Sequence, residues 1–278
     1  MVRSVNVPKN GKPLVLLPFA CSHWGSDHAN GDLLREYFEQ VEEEDNALPI
    51  GVGDCLDDYR TTDRNAIRTA LVNSDAWKRQ DKTVKGLVDE FAEFINKHCP
   101  SFGKKAICLI DGNHGWKFQD GTTDVNYLCS LLGVRYARKA AFVRLTVARK
   151  RTHQNIFIVA HHGYGTTGGS PALDLRKMEV RVEPAFDADI YLQAHSHQRG
   201  FVKIPCMAMS DQGTPRLVEK TKLLVRCGAF YKTYLENQEP GYGEEKLCRA
   251  TDLGWVRILI HCERDKLGLM RFRYEAHY

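Results

Sequence analysis

Apolar positions in this chain gather into short runs, and five of those runs stop abruptly at a cluster of histidine, aspartate, asparagine or cysteine. Residues 13–20, 48–52, 106–110, 156–160 and 189–192 have the length and near-continuous apolar character of buried strands bounded by turn residues. Between them the period changes. Leu33, Leu34, Tyr37, Phe38 and Val41 recur at helical spacing over 31–43, and Val84, Leu87, Val88, Phe91, Phe94 and Ile95 form a stripe in 61–97. That second stretch reads as two tandem helices with a break at Asn73-Ser74-Asp75. Further helices are expected at 125–132 and 173–180, and strands at 134–138 and 141–147. A polar, basic hairpin turn is expected over 148–155.

Past residue 200 the chain is strand-rich, at 202–208, 217–227 and 255–274, with loops over 231–247. Helices and strands alternate in the first half and strands dominate the second, which predicts an α/β layered sandwich with two sheets. Nothing reads as a linker, so residues 1–278 are expected to form one domain.

Composition narrows the picture a little. A chain of 278 residues with 43% hydrophobic content can bury one sizeable core. A net charge of +4 suits a phosphate-bearing substrate but is too weak to argue for nucleic acid by itself. No apolar run approaches a membrane span, and the first thirteen residues lack an apolar signal core. Nine cysteines without framework spacing and without a C-x-x-C pair predict free thiols in a reducing, cytosolic compartment.

The chemistry lies in the strand-end blocks: Cys21-x-His23, Gly53-Asp54, Gly112-Asn113-His114, His161-His162-Gly163 and His195-x-His197. Six of the eleven histidines fall in them. A lone histidine is ordinarily a satisfied core or surface residue, so the joint pattern carries the signal. Ligand sites of α/β proteins gather beyond the carboxyl ends of strands. A mixed set of imidazole, carboxylate, amide and thiol suits zinc, iron or manganese.

In order and wording these blocks resemble the calcineurin-like metallophosphoesterases, over roughly residues 14–200, and in the HHGYG and GAFYKTY segments the phage- or prophage-type members. The resemblance implies a four-layer α-β-β-α sandwich with two mixed sheets. It also implies two divalent metal ions (Zn, Fe or Mn) and metal-assisted hydrolysis of a phosphoester, most of all a phosphodiester such as nucleic acid or a nucleotide. The first ion would be held by Cys21, His23, Asp54 and His197, and the second by Asp54, Asn113, His161 and His195, with His162 as the alternative to His161. Asp54 would bridge the ions. His114 would stabilise the transition state or protonate the leaving group.

Three positions depart from the family pattern. Cys21 stands where the family has Asp; either it binds as a thiolate that favours a softer ion, or it is a small buried residue and the first site is weakened. Gly115 replaces the acidic residue after His114, so either Asp111, Asp57 or Asp58 substitutes in holding the imidazole or His114 is looser and its acid role weaker. Ala194 replaces Gly. A phosphomonoesterase or protein phosphatase, and a degenerate site that only binds a phosphorylated ligand or a partner, are the alternative readings. Trp24 and Trp116 adjoin the blocks, where lining a pocket and packing are both open. The glycine-rich loop 163–170 is open between a phosphate cradle and a plain loop. The basic residues around 135–151 read as a solvated hairpin or a nucleic-acid track.

Overall fold

The computed structural model describes residues 1–8, 11–57, 74–149, 152–164, 170–210, 214–236, 242–245, 247–264 and 270–278. The strand Leu14–Phe19 (β2) shows how the layers arise. Its side chains alternate: Leu14 and Leu16 enter one buried cluster, and Val15, Leu17 and Phe19 enter another. A strand apolar on both faces must be covered on both, which its sequence could not conceal. β2 pairs in parallel with Ala47–Gly51 (β3) and antiparallel with Arg257–Arg264 (β10), and β10 pairs with Met270–His277 (β11).

The second sheet runs β1-β4-β5-β6-β8-β7, from Val2–Asn6 (β1) through Ala140–Arg149 (β4), Thr152–His161 (β5), Ile190–Gln193 (β6) and Leu217–Ala229 (β8) to Arg199–Met209 (β7). Gly254–Trp255 (β9) adds to the end of β8. Both sheets mix parallel and antiparallel pairs. Leu16, Ile50, Val143, Ile158, Val225 and Ile260 belong to the core between them.

The outer face of the first sheet carries Gly31–Glu43 (α1), Ser74–His98 (α2), the single turn Phe102–Lys105 (α3) and Asp124–Leu132 (α4) over an aromatic cluster that includes Tyr37, Phe38, Phe91 and Phe102. The outer face of the second carries less: Pro171–Lys177 (α5) and the turns that follow it, over Val159, Met178, Tyr191 and Leu224. The chain is thus a mixed α/β sandwich of two mixed sheets with helices outside. No helix among the described residues is long and apolar enough to cross a membrane.

Several elements differ from the sequence expectation. The second of the two tandem helices, with its stripe, is the helix Ser74–His98, while the first, and Asn73 of the expected break, fall on residues 61–73, outside the described residues. Residues 107–110 are not a regular strand. They run beside β3 through Ile107 N–H to Pro49 O and Ile110 N–H to Gly51 O, and Ala137 N–H donates to Leu109 O. The hairpin expected over 148–155 is mostly strand, paired down to Arg149 and Thr152. β1 has no counterpart in the sequence reading. It is an edge strand with only Val5 packed against the core, so its apolar signal is one residue.

Candidate metal centre

Three of the five blocks turn sharply as they leave their strands. Cys21, His23, Asp54, His195 and His197 all have positive φ, between 47° and 71°. For residues with a Cβ this left-handed region is strained, and such residues cluster at functional sites. The turns explain how residues two apart in sequence, Cys21 with His23 and His195 with His197, aim at one place. A backbone ladder holds them: Cys21 N–H donates to Gly53 O, His23 N–H to Asp54 O, and Phe230 N–H to Cys21 O.

Asp54 lies at the centre and is buried. Its Oδ1 accepts from the backbone N–H of His114 at 2.8 Å. Its Oδ2 is 2.9 Å from Nε2 of His162 and 3.9 Å from Nε2 of His23. Burial alone would raise the pKa of this carboxyl, but the imidazoles of His162, His23 and His114 outweigh it and hold Asp54 ionised far below the usual carboxylate range. Two glycines let the blocks approach this closely. A Cβ on Gly112 would lie 1.8 Å from Oδ1 of Asp54. One on Gly53, whose φ is 92°, would lie 2.6 Å from Nδ1 of His162.

The imidazole that joins Asp54 from β5 is His162, not His161. Nδ1–H of His162 donates to Val52 O at 2.8 Å, and Nε2 lies 3.0 Å from Oδ1 of Asn113. Oδ1 of Asn113 is in turn 2.9 Å from Nδ1 of His195. His161 instead accepts from Gly163 N–H at 2.9 Å through Nδ1. The cause is the pleat. Ile158 and Ala160 point into the core between the sheets and Val159 points to the outer layer. His161 shares the parity of Val159, and His162 that of Ala160.

On the other side of Asp54, Nε2 of His23 and Nε2 of His197 face each other at 3.3 Å. The Cys21 thiol reaches both sides: it lies within 4.8 Å of the donor nitrogens of His23 and His197, and also of the donor atoms of Asp54 and His162. Burial, then the Asp54 charge, push that thiol well above its ordinary pKa. Burial, then His23, hold His197 well below the usual imidazole range, so it is a neutral donor.

These contacts test whether the residues fit metal ions. A carbonyl only accepts, so Nδ1 of His162 carries the proton and a neutral ring turns its Nε2 lone pair on the Asp54 carboxylate. A lone pair and a carboxylate oxygen at 2.9 Å need positive charge between them, either a proton or a cation. The facing nitrogens of His23 and His197 either share one N–H proton or turn both lone pairs to a cation. An N–H donated to a backbone carbonyl is also how metal-binding histidines are oriented. The donor set fits.

Beside this cluster, Oδ1 of Asp57 lies 2.7 Å from Nδ1 of His114 and 3.5 Å from Nδ1 of His23. Asp57 therefore takes up the imidazole that Gly115 leaves without an adjacent carboxylate. Burial opposes its ionisation, but the two imidazoles hold it far below the usual range. Asp111 is engaged elsewhere, with the Tyr136 hydroxyl at 2.7 Å and Thr123 at 3.1 Å, and Asp58 lies outside the described residues.

Both tryptophans pack. Trp24 stacks on Phe91, and Trp116 is buried with its indole N–H donated to Asp81 at 2.6 Å. Residues 165–169 of the glycine-rich loop lie outside the described residues, as do Lys150 and Arg151. Arg135 and Arg144 of the basic stretch are solvent-exposed. The cysteines are free thiols.

The sequence reading missed Tyr231. Its ring lies against His23 (4.9 Å between centroids), His197 (5.5 Å) and His28 (5.2 Å, stacked). It also missed Lys139, whose ammonium reaches Gly112 O at 2.8 Å. Tyr231 stands in the GAFYKTY segment and Lys139 in the basic stretch, but neither pattern assigned the residue a place at the site.

No family model and no curated protein matches the chain. Solved structures align over almost its whole length at low similarity. Vps29 of Chaetomium thermophilum is 12% identical, with 96% of each chain covered and a TM-score of 0.36. A predicted phosphoesterase of Streptococcus pneumoniae TIGR4 is 10% identical, with 95% of this chain and 98% of that one covered and a TM-score of 0.31. GAP50 of Plasmodium is 11% identical, with 96% and 88% covered and a TM-score of 0.43. Likenesses this distant say nothing about what the chain does.

Proposed function

We propose that this chain is a binuclear metal-dependent phosphoester hydrolase of the calcineurin-like kind, acting on phosphodiesters such as nucleic acid or a nucleotide. The observation that carries the reading is the convergence of Cys21, His23, Asn113, His162, His195 and His197 on the buried carboxylate of Asp54, from the ends of β2, β5 and β6 and from the segment after residues 107–110. One ion would take Cys21, His23, Asp54 and His197; the other would take Asp54, Asn113, His162 and His195, so His162 replaces the His161 expected from sequence. The thiol and imidazoles favour zinc or ferrous iron, with manganese a harder alternative.

Two divalent cations, when bound, supply Lewis-acid stabilisation of phosphate charge and lower the pKa of a water. The protein's own residues do the rest. Asp54 offsets the repulsion between two cations. Nδ1 of His114 is committed to Asp57, so the ring meets substrate through Nε2, where it donates a proton to the departing alkoxide or a hydrogen bond to a phosphate oxygen. Asp57 holds that tautomer and stabilises the protonated ring. Lys139, exposed at the rim beside Gly112, adds positive charge where an anionic substrate arrives.

The test is metal content and hydrolysis in the purified protein. Mass spectrometry should find two equivalents of transition metal. Chelated protein should regain bis-p-nitrophenyl phosphate hydrolysis with zinc, iron or manganese. Protein that holds its ions yet cleaves neither the diester nor p-nitrophenyl phosphate would sink the reading and leave a phosphate-binding protein.

A further inference from the structure

We propose that the Tyr231 ring, backed by His28, is a positioning element of the first metal site: ring packing does there what hydrogen bonds do at the second. The inference rests on the two-ion reading and adds residues that are not ligands. Left-handed backbone at His23 and His197 fixes where each Cβ points, but two side-chain torsions still aim each imidazole. A metal-binding histidine ordinarily settles them by donating its other N–H to a carbonyl or a carboxylate. His162 does so, through Nδ1 to Val52 O. His23 does not. Its Nδ1 is buried without a hydrogen-bond partner among the described residues, and the nearby Asp57 Oδ1, at 3.5 Å, is already joined at 2.7 Å to His114.

Rings take the place of that bond. The His23 imidazole packs against His114 (4.8 Å between centroids, 81° between planes) and against Tyr231 (4.9 Å, 58°). Tyr231 also meets His197 at 5.5 Å and 51°. These are the two imidazoles whose Nε2 atoms face each other at 3.3 Å. Tilted rings at such separations attract, so one tyrosine restricts both ligands together.

Tyr231 is itself held in place. Its ring stacks on His28 at 5.2 Å and 19°. His28 is buried and donates Nδ1–H to Lys232 O at 2.8 Å. The backbones pair as well: Ala29 and Tyr231 form an antiparallel bridge, Lys232 N–H donates to His28 O at 2.8 Å, and Asn30 N–H to Phe230 O at 2.7 Å. Phe230 N–H donates to Cys21 O at 3.0 Å, so the segment that carries the ring is tied to the block that carries the ligands. None of these contacts needs an ion in order to form. The first site takes its ring geometry from Tyr231 and the second from Val52 and Asn113, so a change at Tyr231 acts on one ion and spares the other.

The experiment measures cobalt binding constants, by competition with a chelator, and the visible spectrum of the bound cobalt. It uses the wild type, Tyr231→Ala, Tyr231→Phe and His28→Ala, each also in a His162→Ala background that keeps the first ion alone. Tyr231→Ala should weaken one ion by roughly tenfold or more, leave the other within about twofold, and weaken the single ion of the His162→Ala background by the same factor. The spectrum of that single ion should change with it. Tyr231→Phe, which keeps the ring and removes the hydroxyl, should bind as the wild type does. His28→Ala should weaken the same ion by less than Tyr231→Ala does, which keeps the test in hand where Tyr231→Ala does not fold. Unchanged constants in Tyr231→Ala and His28→Ala, or equal losses at both ions, overturn the proposal, as does a Tyr231→Phe that loses as much as Tyr231→Ala. A wild type that binds no cobalt overturns the two-ion reading and this inference with it. A wild type that holds two ions and cleaves no phosphoester overturns the hydrolase alone.

Discussion

The two sides of Asp54 are organised by different forces. On the side of His162, Asn113 and His195, the orientation of donors is set by hydrogen bonds: Val52 O fixes the His162 tautomer, and the Asn113 side chain lies between two imidazoles. On the side of Cys21, His23 and His197, left-handed backbone, which His195 shares, is joined not by a carbonyl or amide anchor but by the Tyr231 ring packed against both histidines. The first arrangement presents hard and borderline donors ready for a cation. The second presents a thiol that burial keeps protonated until a cation takes its place. The lesson is that one carboxylate joins a preorganised half-site to one whose charge must be made on binding.

Four substitutions break or sharpen that contrast. The largest effect belongs to Asp54, the carboxylate between the two sides. Asp54→Asn should strip both metals and abolish hydrolysis, read by mass spectrometry of the purified variant; retention of two ions would overturn the whole assignment. Next comes the choice on β5. His162→Ala should lose one ion and lower activity by at least about a hundredfold, whereas His161→Ala should keep both ions, and the reverse result would return the ligand role to His161. The smallest effect lies at Cys21. Cys21→Asp should keep two ions but shift the ratio of zinc to manganese affinity toward manganese by roughly tenfold. With cobalt as the probe, the sulfur charge-transfer absorption of the wild type should vanish in Cys21→Asp. Its absence from the wild type would show that Cys21 packs and does not ligate.

Much of this was legible from sequence because buried strands are nearly all apolar, and a polar block at their ends has little purpose in packing. Residues 14–19, 47–51 and 190–193 form where the runs predicted strands. Even the choice of His162 was written in the alternation of Ile156, Ile158 and Ala160 against Phe157 and Val159. A glycine shortly after the strand was a poorer guide than the pleat. β1 was illegible because an edge strand with one covered face needs only one apolar residue.

The sequence by itself determined the two-sheet sandwich, the strand-end blocks and the residue types at the centre, because those follow from local periodicity and turn chemistry. Only the tertiary structure decided which carboxylate holds His114, which histidine of the pair meets Asp54, and that Tyr231 packs against His23 and His197. Those are distances between segments far apart in the chain, from 57 residues between Asp57 and His114 to 110 between Val52 and His162. They are set by how closely Gly53 and Gly112 let the backbones approach, and no local pattern records such a distance.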